Sequence, residues 1–112
     1  MHLYVELWNA RPKWLALSVA ERQDYFEKVG GEIQKLTETG VELVGFAIND
    51  EDTPHRGDYR YLALWKMPTL EQVEMLEASV QQAGWHEYFE QINARGEWMA
   101  PPQALADMAS LE

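Results

Sequence analysis

The stretch GWHEYFEQINARGEW, residues 84–98, decides the fold because it carries two periods at once. Trp85, Tyr88, Phe89 and Ile92 recur at the spacing of one helix face, whereas Ile92, Ala94 and Trp98 alternate with Asn93, Arg95 and Glu97 as in a strand. A short helix over about 85–89 that runs into a strand over about 91–98 satisfies both periods. Such a strand completes a sheet whose other members lie upstream.

From Leu3 to Trp8 the residues alternate, with Leu3, Val5 and Leu7 on one face and Tyr4, Glu6 and Trp8 on the other. Pro12 and Trp14 fall in a connection, and Ser18 with Glu21 forms a capping box that starts a helix at Val19. Phe26, Val29, Ile33 and Leu36 make its apolar stripe, and Gly40 provides the left-handed stop. Gly30 and Gly31 lie inside that helix, each costing up to about 1 kcal/mol against alanine, which points to a close packing contact or a kink. Val41 to Ile48 is apolar on both faces and reads as an interior strand, with Gly45 making room for a large residue opposite. The polar loop of residues 49–58 leads to a strand from Tyr59 to Lys66. Thr69 and Gln72 have capping-box spacing, and Leu70, Val73, Leu76 and Val80 form the stripe of a second helix that ends at Gly84. A short C-terminal helix over about 102–110 is entered through Pro101 and Pro102, with Leu105 and Met108 expected to face inward.

VELW at 5–8 and LALW at 62–65 are each followed by a proline, a capped helix and a glycine. Two strand–helix–strand units predict an α+β, ferredoxin-like βαββαβ fold: one domain over 1–112, a four-stranded antiparallel sheet and helices on one face.

A chain of 112 residues with 46% hydrophobic and 25% charged residues supports one core. Its formal charge of −10 repels phosphate backbones and anionic membranes, so neither nucleic acid nor membrane is an expected partner. Cysteine is absent, which removes disulfides, thiolate metal sites and cysteine nucleophiles. No signal-like start and no apolar run of membrane-spanning length occurs, and the expectation is a soluble, cytoplasmic protein. Phosphate-binding glycine loops, serine-hydrolase elbows and zinc signatures are also lacking.

The leucine and valine positions of the first and third strands suit the helix-covered face. The other face then carries Tyr4, Glu6, Trp8, Tyr59, Tyr61 and Trp65, a patch too large to leave in water, and a homodimer is expected to cover it.

KWLALSVAER at 13–22, TGVELVGF at 39–46, YLALWKMP at 61–68 and GWHEYFEQINARGE at 84–97 resemble the dimeric α/β-barrel superfamily. Antibiotic-biosynthesis monooxygenase, EthD-like and YCII-like proteins belong to it, and the chain looks more narrowly like an uncharacterised small bacterial branch. The resemblance implies two sheets facing each other in a dimeric α/β barrel, with a cleft in each subunit between sheet and helices for a small, often hydrophobic molecule. It further implies either cofactor-independent chemistry or haem binding. YCII-like members have a His–Asp pair proposed to be catalytic; His55 and Asp58 do not match it by motif, and no role is carried over.

His86 is the candidate general base, with Glu87 or Glu90 to orient it; the plainer reading is a partly exposed residue beside the apolar stripe. His55, Arg56 and Asp58 either close over an anionic substrate or form a solvated loop tip. His2, His55 and His86 lack metal-ligand spacing, so no metal is expected, and with few basic partners for propionates no cofactor is expected either. Tyr4, Glu6, Trp8, Tyr61, Trp65, Trp85, Tyr88 and Asn93 are the candidate ligand-binding set, with Arg95 as an alternative polar group; the same aromatics could be dimer core. A buried Glu6 discriminates, since an unpaired carboxylate in a dry place marks a partner, a proton or a site. The expected function is binding of a small, partly hydrophobic molecule, as a cofactor-independent oxygenase, isomerase or lyase. The alternative is a non-catalytic assembly or ligand-carrier module.

Overall fold

A computed structural model describes residues 1–112. The elements run β1 (His2–Ala10), α1 (Pro12–Leu15), α2 (Val19–Thr37), β2 (Glu42–Ile48), β3 (Tyr61–Met67), α3 (Leu70–Gln82), α4 (Trp85–Tyr88), β4 (Phe89–Glu97) and α5 (Pro101–Ala109). The sheet has the order β2-β3-β1-β4 with every neighbouring pair antiparallel, the expected ferredoxin-like arrangement. The stretch at 84–98 divides as its two periods require: α4 turns directly into β4, which lies along β1.

Local chemistry accounts for the ends of the elements. Ser18 Oγ accepts from the Glu21 backbone N–H at 3.1 Å while Glu21 Oε1 accepts from the Ser18 N–H at 2.9 Å, closing the capping box of α2. After α2, Gly40 takes φ +98°, a conformation that L side chains rarely adopt. The second box does not form. The Thr69 hydroxyl turns to the Gln72 side chain instead of a backbone N–H, and Gln72 Nε2 reaches Thr39 O at 3.3 Å.

Three expectations about packing are corrected. The faces of the sheet are inverted: Tyr4, Glu6, Trp8, Ala63, Trp65 and Met67 are buried on the helix side, while Leu3, Val5, Leu7, Leu62 and Leu64 are only partly covered on the other. Alternation separates two faces without saying which one the helices take, and here the large rings span the gap to the helices. Secondly, β2 is an edge strand and not an interior one, with Val44, Phe46 and Ile48 exposed. A bulge between Leu43 and Gly45 shifts its register, so Leu43, Phe46 and Ile48 share the inner face and Gly45 opposes Leu64 on the outer. No atom lies within 4 Å of a Cβ built at Gly45, so it makes room for nothing large. Thirdly, Leu105 and Met108 of α5 do not face inward; they are 63% and 57% exposed. The radius of gyration, 16.1 Å, exceeds the roughly 13 Å expected of a compact chain of this length, in keeping with an unpacked C-terminal helix.

Between sheet and helices the core is built from Trp14, Leu36, Val41, Val73, Leu76 and Phe89 together with the buried strand residues. Helix α3 packs on the centre of the sheet through Val73 and Leu76, whereas α2 buries only Leu36, near its C-terminal end. Ile33 of the same stripe packs partly buried against this core, whereas Phe26 and Val29 border an open cleft. Gly30 and Gly31 meet no atom within 4 Å of a built Cβ, so neither marks a packing contact. Replacing Gly31 with Ala is therefore expected to raise stability by about 0.5–1 kcal/mol in urea unfolding through helix propensity alone; a loss of stability would show that α2 is packed more tightly there.

Candidate functional site

The gap left by α2 is a cleft with two lobes that share Trp8, Val29, Ile33, Phe46 and Trp85. Its outer lobe, about 550 Å³, is walled by Trp14, Phe26, Tyr61 and Phe89 and includes the bare backbone of Gly30; Arg22 is its one charged residue. The narrow inner lobe, about 60 Å³, ends on Glu6 and Trp65 beneath Leu36, Leu76 and Val80, with Glu32 also in its wall. Phe26 and Phe46 are each about half exposed in the walls.

Glu6 is placed by the cross-strand register. It stands opposite Ala63 on β3 and Asn93 on β4. With 6% of its surface accessible, Glu6 is the one acidic residue among the buried set. The Trp65 indole N–H donates to Glu6 Oε1 at 2.5 Å and Gln91 Nε2 donates to Glu6 Oε2 at 2.8 Å. Gln91 is fixed in turn, since its Oε1 accepts from the Trp85 indole at 2.7 Å and its Nε2 also donates to Asn93 Oδ1 at 2.8 Å. No cation pairs with Glu6. Burial therefore raises its pKa above the ordinary glutamate value, and the bonds from Trp65 and Gln91 offset this only in part.

On its other side Glu6 borders a polar depression of about 200 Å³ lined by Tyr4, Glu77, Gln81, His86, Gln91 and Asn93. The Tyr4 hydroxyl donates to Glu77 Oε2 at 3.2 Å, and Arg95 Nη1 donates to Glu77 Oε1 at 2.8 Å. Burial first, then the Glu77 carboxylate, holds the Tyr4 phenol far above its ordinary pKa and hence protonated. A carboxyl that touches an apolar cleft on one side and a polar, open depression on the other can exchange protons with solvent while facing a ligand. That is the setting of a general acid or base.

The predicted set divides. Glu6, Trp8, Trp65 and Trp85 line the inner lobe and Tyr61 the outer one, whereas Tyr4, Asn93 and His86 line the polar depression. His86 is exposed, its backbone carbonyl accepts from Arg11 Nε at 3.1 Å, and Glu87 is bound to Lys13 at 2.9 Å. Tyr88 lies apart from both lobes. It packs edge-on against Trp14 and Tyr25, ring centres 5.5 and 5.0 Å apart, because α4 ends there and sends its side chain under α1. His55, Arg56 and Asp58 also lie outside the cleft: Arg56 is spent on the loop itself, donating to Asp50 O and Tyr59 O. No cluster of His and carboxylate side chains is placed to hold a metal ion. The cleft does not fit a haem, for no histidine lines either lobe to ligate the iron and Arg22 alone could meet a propionate. Sequence reading missed Gln91, Glu77, Phe46 and the α2 wall. Gln91 becomes a partner of Glu6 only through the pairing of β4 with β1, a non-local register.

Residues 1–111 match a family of unknown function (DUF6616), and the chain belongs to that family. Eighteen solved chains match it in structure. One, described as "Putative Chlorite dismutase", superposes with a TM-score of 0.63 at 13% identity, over 88% of this chain and 45% of its own length. This chain thus spans less than half of that protein, and the likeness is one of fold, the ferredoxin-like α+β architecture. No curated protein matches the sequence. No helix is long and apolar enough to cross a membrane.

Because the folded-state pKa of Glu6 is raised, its contribution to stability is fully present below the unfolded value and is lost as pH rises through the folded one. The titratable groups near it are Tyr4, Glu32, His86 and the Glu77–Arg95 pair. Replacement of Glu6 by Gln keeps an acceptor for Trp65 and removes the buried charge, but sets an NH2 against the Gln91 Nε2 donor, a cost independent of pH. In thermal unfolding the midpoint of the variant relative to wild type should accordingly be higher at pH 7.5 than at pH 4.5; an equal difference at both pH values would show that the Glu6 pKa is not raised.

Proposed function

We propose that this member of the DUF6616 family binds a small, partly hydrophobic molecule in the cleft between α2 and the sheet, with the Glu6 carboxyl as its polar anchor. One observation carries the reading: a buried carboxyl without a cationic partner sits at the inner end of an apolar cleft. Leaving a carboxyl there costs several kcal/mol relative to an apolar side chain, a cost that packing alone does not require. Phe26 and Phe46, half exposed in the walls, are covered once a ligand enters. The chemistry open to Glu6 is proton transfer, which suits an isomerase or lyase acting without a cofactor, and Glu6 replaces His86 as the acid–base candidate because it faces the cleft. A carrier would use the same cleft without turnover.

The dimer belongs to the same proposal, on a different face from the one expected. Leu3, Val5, Leu7, Leu62, Leu64 and Ile92 form an aliphatic outer sheet surface that the chain's own helices do not cover, and a second copy is the natural lid in a dimeric α/β barrel. Light scattering behind size exclusion should give a particle of twice the 13.0 kDa chain mass at micromolar concentration. Native mass spectrometry of protein purified from its own source should show each subunit carrying a small organic adduct, lost when Glu6 is replaced by Gln. A monomer would refute the first statement, and ligand-free subunits or an adduct indifferent to Glu6 the second.

A further inference from the structure

We propose that the ligand is an organic ammonium ion, an amine whose charged head sits against Glu6 at the inner end of the cleft while its hydrophobic body fills the outer lobe. The proposal rests on the small-molecule reading above and names the chemical class of that molecule.

Charge in the inner lobe is of one sign. Glu6 and Glu32 are its charged residues, and no Lys, Arg or His reaches its wall. Glu32 is held by Lys35 at 3.1 Å, which leaves Glu6 as the carboxylate without a counter-ion. Each oxygen of Glu6 accepts one bond, from Trp65 and from Gln91, both neutral donors. A carboxylate has roughly four acceptor sites, so about two stay free for N–H donors brought by a ligand.

The walls suit a cation as well. Trp8 and Trp85 meet edge to face with ring centres 5.8 Å apart, and with Trp65 they surround the space next to Glu6. The indole N–H groups of Trp65 and Trp85 are already used by Glu6 and Gln91, so neither is free to donate to a ligand. Aromatic rings clustered beside a buried carboxylate are a pairing that recognises ammonium groups. An anionic ligand would bring like charge against Glu6 and Glu32, and a neutral one would leave the ionised Glu6 without a counter-ion, so that taking up a proton would be its only compensation. The chain's formal charge of −10 favours the approach of cations over anions.

The test compares three probes of one shape, 3-phenylpropylamine, 3-phenylpropanol and 3-phenylpropionate, by calorimetry and by quenching of tryptophan emission at pH 7.5. Wild-type protein is expected to bind the amine at least about tenfold more tightly than the alcohol, and the carboxylate more weakly than either. Glu6→Gln should abolish the preference for the amine while the alcohol binds as before, with near-ultraviolet circular dichroism reporting that the variant is folded. The wild-type ranking decides the matter even if that variant does not fold. An alcohol bound as tightly as the amine overturns the ammonium inference and leaves the cleft reading standing. Absence of binding by all three overturns both.

Discussion

The Trp65 indole that donates to Glu6 Oε1 at 2.5 Å, seconded by Gln91 at 2.8 Å, allows a carboxyl to sit in the middle of the sheet's inner face. Much of the surrounding structure follows from satisfying that group. β4 must lie beside β1 in a register that brings Gln91 within reach, and Trp85 must come off α4 to hold the Gln91 side-chain carbonyl. No buried side-chain polar atom is left without a hydrogen-bond partner. Each atom of the network has a partner, but the carboxyl has no counter-charge.

The second constraint is the stance of α2. A helix that fully buries only Leu36 leaves an opening beside Phe26 and Val29, and the cleft is that space. Full closure would bury Phe26 and Val29 and gain hydrophobic stabilisation on the order of 1–3 kcal/mol for each large side chain. The open stance forgoes that gain, a trade common where structure serves binding and not stability alone.

Much of this architecture was legible in the sequence, in proportion to how local each signal is. The Ser18–Glu21 box, the Gly40 stop and the double period of residues 84–98 lie within a few residues of what they determine, and the structure has each of them. The sign of the sheet faces was not legible, since strict alternation looks the same whichever face the helices cover. The bulge at Val44 was hidden for a related reason: one inserted residue in a strand that is apolar on both faces from Leu43 onward leaves no trace in the pattern, yet it moves Phe46 to the cleft side. Glu6 stood out because it is a carboxylate among aromatics, whereas Gln91 and Glu77 gain their roles only from strand register and from α3. Tyr88 had the right chemistry and the wrong direction, which helical spacing over a single turn does not resolve.

The central claim is that Glu6 is a buried carboxyl whose ionisation is opposed by its surroundings. Its side-chain carboxyl carbon, observed by NMR in protein labelled at glutamate and assigned by its loss in the Glu6→Gln variant, can be titrated directly. The account predicts a midpoint above the ordinary glutamate value of 4.5, moving downward when an amine occupies the cleft. A midpoint at or below 4.5 in the free protein would contradict it.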